Sequence, residues 1–457
     1  MLSVVGQAQT PALPGKSGTD ASSDQSNRQP GSQSAGLFHN PNQARFCATT
    51  TGTTYTMAIQ SPCSPNVVTD NQVTTPYPSD VALPDLNASM LPAPLPIQVT
   101  APGMLNVEVW THGTLATRLT ETSSGLFTGT LDLSKEPAGP LNVRLFAWNS
   151  PPGDNSFTVN LSAILDLFVF GHPAQIPFPA AAAGMKLAWS DEFNTLSATA
   201  CKPGTGVWPN CAPPTATDGF TWFENKPGGG DFGDAAFEHT DSRFNPYQIE
   251  AGFLRIRSTY DPNYVDPYGY GRHWYSGLLG SAFNDGTTNV PNLQNGYYEA
   301  RFLTPNSSSG VPWSGDGGGT WPAFWMLDLG TLQPGAQGTI EEDVSEQYGE
   351  NQNYTQANQI SYGNATGGNW IYRGQPGPDL TADFHRYGLL VTSSTVTFYF
   401  DDHPLGSIPK ASLPGTPTPN WFLLFDLAMG SGWPDKAPPS NYYDMWIDYV
   451  RYYSPQS

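Results

Sequence analysis

The chain has 457 residues, of which 13% are charged and 12% aromatic, together with 47 glycines and 44 prolines. Its formal net charge of −20 argues against a nucleic acid or an anionic membrane surface as partner, because both require a basic patch. Abundant turn-forming and aromatic residues with few charges favour an all-β protein rich in loops. An acidic protein with many aromatic residues suits a neutral ligand such as a sugar, whose apolar faces stack on aromatic rings.

Residues 1–36 are expected to be a signal-peptide remnant followed by a disordered tail. The first ten residues combine a short apolar run with small residues, and residues 10–35 are rich in Ser, Gln, Gly, Asp and Pro. No run of about 18 apolar residues occurs, which argues against a membrane-spanning helix. We therefore expect a secreted or periplasmic protein.

Residues 37–172 are predicted to form a small immunoglobulin-like β-sandwich. Val107 and Val109 alternate with polar neighbours, and turn signals recur at Pro102-Gly103 and Pro152-Gly153. No set of residues with an assignable chemistry occurs in this module, so its expected role is that of a spacer or a carbohydrate contact. The Pro- and Ala-rich residues 173–184 are predicted to be a linker.

Residues 185–457 are predicted to form a second, larger all-β domain. Strand-like segments recur along it, for example at residues 253–256 and 396–400. Its size is that of a two-sheet β-jelly roll.

The four cysteines lie in two close pairs, Cys47 with Cys63 and Cys201 with Cys211. Spacings typical of zinc sites are absent, so the sequence favours two local disulfides formed in an oxidising compartment. The alternative is four unpaired thiols in a reducing one.

An acidic run contains Glu341, Glu342, Asp343 and Glu346. In a flat strand Glu341 and Asp343 share one face and Glu346 points to the other. A one-residue bulge at residues 344–345 would bring these three carboxylates to one face and leave Glu342 on the opposite one. Retaining glycosidases use two such carboxyl groups, a nucleophile and an acid/base, and a third nearby would keep one of them protonated. Taken alone, the spacing of the run favours the alternative of a solvated turn or helix start.

The motifs around this run resemble glycoside hydrolase family 16, the laminarinase and lichenase relatives. The resemblance covers residues 185–453 and implies a β-jelly roll with an open cleft and a retaining mechanism. By this resemblance Glu341 is the nucleophile, Glu346 is the acid/base, and Asp343 orients or tunes the nucleophile. The motifs are WSDEFN (189–194), GYYEAR (296–301), GTWPAFWML (319–327), DFHRY (383–387), LAMGSGWP (427–434) and WIDYVR (446–451).

Aromatic residues are expected to build the sugar subsites. Trp321, Trp325 and Trp433 occupy motif positions that lie in or beside the cleft in relatives, and Trp274, Trp313 and Tyr348 are candidates by proximity in sequence. For any of these tryptophans the alternative is packing in the core, above all for Trp325.

No cofactor is expected to be required. Some members of the resembled family bind a structural calcium ion, and the matching positions are Glu192, Asp448 and the backbone carbonyl of Gly252. These residues could equally be ordinary hydrogen-bond partners. One departure from the family is Glu342, where relatives carry an aliphatic side chain that faces the second sheet; a buried carboxylate there would need a partner.

The predicted activity is that of a monomeric retaining endo-β-glycanase, acting on a β-1,3/1,4-linked glucan or a related microbial exopolysaccharide. One alternative is a transglycosylase that uses the same carboxylates, with a sugar hydroxyl in place of water. Another is a non-catalytic polysaccharide-binding protein. The intact set of Glu341, Asp343 and Glu346 argues against the latter.

Overall fold

The described part of the chain is built almost entirely of strands. The computed structural model describes residues 45–51, 54–60, 88–90, 94–101, 103–148, 150–152, 159–169, 174–229, 232–291, 293–305, 319–348, 355–366, 369–374, 380–413, 419–430 and 442–456. Within these ranges helix is limited to the 3-10 turns Ala180–Ala182, Ala216–Asp218 and Leu329–Leu332. The predicted all-β class is confirmed. No helix in these ranges has the length and apolarity to cross a membrane.

The N-terminal strands are joined in the order β1-β2-β4-β7-β6-β5-β8-β9-β3. Their bounds are β1 (Arg45–Thr51), β2 (Thr54–Gln60), β3 (Ala88–Met90), β4 (Pro94–Thr100), β5 (Asn106–Thr111), β6 (Thr114–Ser123), β7 (Leu126–Asp132), β8 (Gly139–Trp148) and β9 (Val159–Val169).

Strand β6 connects two halves of this N-terminal sheet. It pairs with β5 as far as Leu119 and with β7 from Thr120 onward. Apolar residues from both halves then form one core, for example Val99 and Phe127 with Val107 and Val143. The two halves therefore pack over a single core and are called the N-terminal sandwich below; the immunoglobulin-like assignment remains a prediction.

The C-terminal region consists of two sheets. Sheet 1 has the order β13-β16-β15-β27-β18-β23-β24-β25, with β10 pairing β27 and β14 pairing β15. Its bounds are β10 (Met185–Asp191), β13 (Ala235–Phe237), β14 (Tyr247–Glu250), β15 (Phe253–Tyr260), β16 (Trp274–Ser276), β18 (Gly296–Leu303), β23 (His385–Val391), β24 (Thr395–Phe400), β25 (His403–Pro409) and β27 (Tyr442–Pro455).

Sheet 2 has the order β11-β12-β17-β26-β19-β20-β21-β22. Its bounds are β11 (Ala198–Thr199), β12 (Trp222–Phe223), β17 (Leu278–Gly280), β19 (Thr320–Asp328), β20 (Gly338–Glu346), β21 (Thr355–Gly363), β22 (Asn369–Gly374) and β26 (Trp421–Met429).

The two sheets pack face to face over the main hydrophobic core. In β26, Leu423 and Phe425 point into this core, whereas Phe422 and Leu424 belong to a second apolar cluster on the outer face of sheet 2. The period of two along a strand produces this division. Because both faces of β26 are buried, its sequence is apolar almost throughout, and the predicted two-sheet jelly roll is confirmed.

The predicted linker is packed against sheet 1. Ala182 is fully buried against Tyr297 and Tyr453, and the ring of Phe178 meets that of Tyr453 edge-on at a centroid distance of 5.2 Å. The part of the linker that the structure describes therefore covers the outer face of sheet 1.

The N-terminal sandwich also contacts the outer face of sheet 1. Phe168 at the end of β9 packs against Phe253 and Trp446, with each pair of ring centroids 6.0 Å apart. His112 forms an ion pair with Asp383 at 2.9 Å. The sandwich thus lies on the side of the jelly roll opposite the outer face of sheet 2.

Candidate active site

The acidic run forms β20, which lies between β19 and β21 in sheet 2. Trp325 pairs with Asp343, but Phe324 pairs with Ser345, so Val344 is an extra residue in β20. This is the bulge that the sequence predicts, and Val344 points into the core between the sheets. The bulge places Glu341, Asp343 and Glu346 on the outer face of sheet 2.

Glu346 is partly exposed and is held by donors from three strands or their ends. The indole N–H of Trp321 and the hydroxyl of Tyr348 donate to its Oε1 at 2.9 and 2.8 Å. The side-chain amides of Gln356 and Asn358 donate to its Oε2, the latter at 3.3 Å. Burial raises the pKa of Glu346, and the donors oppose that shift. The carboxyl group therefore has a fixed orientation.

Asp343 lies between the two glutamates and is buried. Asn358 donates to its Oδ2 at 3.2 Å, and a side-chain hydrogen bond joins it to Glu341. Burial, followed by the charges of Glu341 and Glu346, raises the pKa of Asp343 well above its ordinary value. Burial and the neighbouring charges therefore favour the protonated form of Asp343 more than its ionised form.

Glu341 is partly exposed and has opposing electrostatic neighbours. Burial and then the charge of Glu346 raise its pKa to about 7, whereas the charge of Lys226 and the hydrogen bond with Asp343 lower it. Arg373 has the corresponding favourable charge interaction with Glu346. Each glutamate thus interacts with a different cation, Glu341 with Lys226 and Glu346 with Arg373.

A fourth carboxyl group, Asp426, lies on the same face of sheet 2, on the far side of β19 from Glu346. Ala323 of β19 pairs with Glu346 on one side and with Asp426 of β26 on the other, so only a methyl group separates the two acids along this row. The indole N–H of Trp325 donates to Oδ1 of Asp426 at 2.8 Å. Burial raises the pKa of Asp426 to about 8, so it is protonated at neutral pH.

Residues 299–451 match the family model described as glycosyl hydrolases family 16. The matched stretch contains β19, β20 and β26 with all four carboxyl groups. The match covers about a third of the chain. The resemblance inferred from the sequence motifs is confirmed.

The curated relatives are longer proteins. Endo-1,3-1,4-beta-glycanase EglC of Rhizobium meliloti (strain 1021) is 28% identical over 280 residues, 58% of this chain and 51% of the relative. Glucan endo-1,3-beta-glucosidase A1 of Niallia circulans is 26% identical over 306 residues, 61% of this chain and 39% of the relative. The chain spans about half or less of the length of these relatives. Among solved structures, the catalytic domain of an endo-1,3-beta-glucanase (laminarinase) from Thermotoga petrophila RKU-1 has 21% identity and a TM-score of 0.42, covering 60% of this chain and 99% of that domain.

The aromatic residues predicted to build the sugar subsites lie in different places in the structure. Trp321 and Tyr348 both contact Glu346 and lie at the site. Trp325 is buried on the floor of the outer face, where Phe232 packs against it, so its role is at least partly structural. Trp313 and Trp433 lie outside the described residues.

Trp274 does not reach the site. It is only 3% exposed and packs in the core between the sheets, where its ring lies 5.8 Å from that of Tyr443. Proximity in sequence was a poor guide because β16 belongs to sheet 1, whereas the acidic strand belongs to sheet 2. The proposed sugar contact of Trp274 is therefore wrong.

Sequence reasoning missed Gln356, Asn358, Asp426 and Lys226. Gln356 and Asn358 are two residues apart on the strand that follows the acidic run, so their side chains share a face. If the two strands are assumed to form a hairpin, this face lies beside Glu346. Asp426 is the acidic residue in the otherwise apolar β26, and a buried carboxyl group in such a strand is a signal in itself. Lys226 lies in a loop and gives no signal.

Glu342 points into the core between the sheets and is fully buried. Gln359 on β21 donates to its Oε1 at 2.6 Å, and the charge of Lys410 acts on it. This is the partner that the sequence requires for a carboxyl group here. Burial nevertheless raises the pKa of Glu342 well above its ordinary value of 4.5, which favours the neutral acid in the folded protein.

We expect Glu342→Gln to become progressively more stable than the unmodified chain as the pH rises above about 5. The unfolded chain releases the Glu342 proton near its ordinary pKa, whereas the folded chain keeps it to higher pH. The free energy of unfolding of the unmodified chain therefore falls by up to about 1.4 kcal/mol per pH unit. Glutamine has no proton to lose. Urea unfolding of both proteins at several pH values measures the difference; a difference that does not change with pH would contradict the burial of a neutral Glu342.

The residues expected to bind calcium are paired with arginines instead. Both oxygens of Glu192 accept from Arg451, at 2.9 and 2.8 Å, and Asp448 accepts from Arg301 at 2.6 Å. Gly252 lies near the backbone of Glu192. Two guanidinium groups occupy the carboxylate oxygens that a hard cation requires, so this set does not fit calcium. No cluster of three or more metal-ligating side chains occurs in the described ranges.

We therefore expect the melting temperature to be the same in excess chelator and in millimolar calcium. An ion that binds the folded state raises stability with its concentration, and the arginine pairs leave it no favourable site. Differential scanning calorimetry in both conditions measures this. A melting temperature that rises with calcium concentration would show that the ion displaces the arginines from these carboxylates.

Cys201 and Cys211 form a disulfide, with the sulfur atoms 2.04 Å apart. This confirms the pairing predicted for the second cysteine pair. The structure describes neither the side chain of Cys47 nor Cys63, so the first pair remains a prediction.

Proposed function

We propose that the chain is a retaining endo-β-glycanase that hydrolyses a β-1,3/1,4-linked glucan or a related exopolysaccharide. The observation that carries this proposal is the bulge in β20, which brings Glu341, Asp343 and Glu346 to one face of sheet 2. Two converging glutamates are the chemical requirement for a retaining glycosidase. The names of the curated relatives, an endo-1,3-1,4-beta-glycanase and a glucan endo-1,3-beta-glucosidase, support the choice of a β-glucan.

In the first step the Glu341 carboxylate attacks the anomeric carbon. The bond between this carbon and the glycosidic oxygen breaks, and Glu346 gives its proton to the departing oxygen. The product is a glycosyl ester on Glu341. The N–H and O–H groups of Trp321, Tyr348 and Gln356 that surround Glu346 stabilise the carboxylate that it then becomes.

In the second step Glu346 acts as a base. Its carboxylate takes a proton from water, the water oxygen attacks the anomeric carbon, and the ester bond breaks to regenerate the Glu341 carboxylate. Two inversions give net retention. The proton of Asp343, hydrogen-bonded to Glu341, stabilises the carboxylate before attack and after release.

The same proposal includes the setting in which the protein works. The Cys201–Cys211 disulfide supports export to the periplasm or the medium, because disulfides persist in oxidising compartments. A single chain contains the complete carboxylate set, which is compatible with a monomer. No cofactor enters either step.

Release of reducing sugar from a panel of polymers tests the proposal. The panel contains β-1,3-glucan, mixed-linkage β-1,3/1,4-glucan and microbial exopolysaccharides, each incubated with the full chain. We expect the viscosity of at least one β-linked polymer to fall well before single sugars are released. This is the pattern of cleavage within the polymer rather than at its ends. Binding without any cleavage across the panel would favour the non-catalytic alternative.

A further inference from the structure

The loop that follows β12 crosses over sheet 2 at a glycine. A side chain at Gly280 of β17 would lie 2.8 Å from Pro227 Cδ and 3.2 Å from the carbonyl oxygen of Asn225. The absence of a side chain there lets residues 225–227 rest directly on the outer face of the sheet. The backbone N–H of Gly228 donates to the side chain of Asn284 at 3.0 Å, which fixes the loop beyond this crossing.

The crossing places Lys226 near one end of a row of paired residues that ends at Asp343, the neighbour of Glu341. Gly280 pairs with Leu424, Leu424 pairs with Trp325, and Trp325 pairs with Asp343. Lys226 starts at the first position of this row, is partly buried, and has a charge interaction with Glu341. The row spans three strand spacings, about 14 Å, and the long, flexible lysine side chain can extend over part of it.

Within the part of the chain that the structure describes, the other titratable groups that interact with Glu341 are acidic. Asp343 and Glu346 come from its own strand, Tyr362 from β21, and Asp426 from β26, and each has a charge interaction with it. Glu342 lies on the opposite face of β20 and interacts with Glu341 only when it is ionised. Arg373 acts on Glu346. Lys226 therefore supplies the positive charge on the side of the nucleophile.

We propose that Lys226 is a positioning residue for the nucleophile, whose ammonium group keeps the Glu341 carboxylate ionised among the neighbouring acids. This inference rests on the proposed function, because an ionised Glu341 matters only if it attacks the sugar. A nucleophile surrounded by carboxyl groups would otherwise hold a proton at the pH at which the enzyme works. The lysine thus maintains the attacking form without touching the reacting atoms.

The test compares Lys226→Met and Lys226→Gln with Lys226→Arg, which keeps the charge. The control is Lys202→Met, since Lys202 lies on the surface and pairs only loosely with Asp218, at 3.8 Å. The readout is the pH profile of kcat/KM. We expect the acid limb to move up by about one pH unit in the two neutral variants, to stay near its original position in the arginine variant, and to remain unchanged in the control.

A second readout does not depend on activity. Carbon-13 NMR of protein labelled at the glutamate carboxyl carbon, with Glu341 assigned from Glu341→Gln, follows the titration of this group directly. A titration that is the same in Lys226→Met and the unmodified chain would overturn the inference while leaving the proposed function intact. An inactive unmodified chain in which Glu341 still responds to Lys226 would instead remove the proposed function.

Discussion

Replacing Glu341 with glutamine is expected to lower kcat on the β-linked substrate by about 10⁴-fold or more while the protein stays folded. Glutamine has the size of glutamate but cannot form the glycosyl ester, so the two-step route is lost. Initial rates of reducing-sugar release, with circular dichroism as a check on folding, measure this.

Glu346→Gln is expected to cause a comparable loss on the polymer but a much smaller one on an aryl glycoside. An aryloxide leaves without protonation, so the first step no longer needs the acid. Added azide should then accelerate turnover and give a β-glycosyl azide, because a small anion attacks the intermediate without a general base. In Glu341→Ala the same anion should give the α-azide. Reversed azide products would exchange the two assigned roles.

The matched control is Glu342→Gln. It changes the same atoms one residue along β20, but Glu342 points into the core between the sheets, whereas Glu341 is on the outer face. We expect its kcat and KM to equal those of the unmodified chain. A loss as large as that in Glu341→Gln would mean that the strand register, and with it the site, is misassigned.

The second large effect is expected at the contact between the sandwich and the jelly roll. Phe168 is 0% exposed and packs on Phe253 and Trp446. Truncation of Phe168 to alanine leaves a cavity there and should reduce the free energy of unfolding by about 3–5 kcal/mol. Urea unfolding followed by tryptophan fluorescence measures this loss.

Leu105→Ala in the same sandwich is the control, because Leu105 is 59% exposed and its loss creates no cavity. In Phe168→Ala, polar contacts would still join the sandwich to the jelly roll. Arg144 donates to Thr381 at 2.7 Å. The carboxylates of Asp383 and Glu136 raise the pKa of His112 to about 10, so that its ion pair with Asp383 is kept at neutral pH. Equal, small effects of both substitutions would indicate that the sandwich is a spacer that does not pack on the jelly roll.

The central site could be predicted because its information is local. The E-x-D-x-x-E spacing requires a bulge before all three acids can share a face, and a bulge at Val344 is what the register shows. The family motifs then identified the fold. Glu342 was recognised as a buried acid in need of a partner, although the identity of Gln359 depends on a pairing that one strand alone does not reveal.

The remaining features depend on contacts between residues distant in sequence. Asp426 comes close to Glu346 because β26 and β20 pair with opposite edges of the same strand, β19. Lys226 comes close to the site because its loop packs on Gly280. Trp274 is close to the site in sequence but belongs to the other sheet. The expected calcium ligands carried no sign that Arg301 and Arg451 pair with them.

The stereochemistry of the first product tests the account most directly. Proton NMR during the first minutes of hydrolysis distinguishes the two anomers of the new reducing end before they interconvert. The double displacement at Glu341 and Glu346 predicts that the β-anomer appears first and the α-anomer follows only through mutarotation. Initial appearance of the α-anomer would mean direct attack by water and would contradict the assignment of Glu341 as the nucleophile.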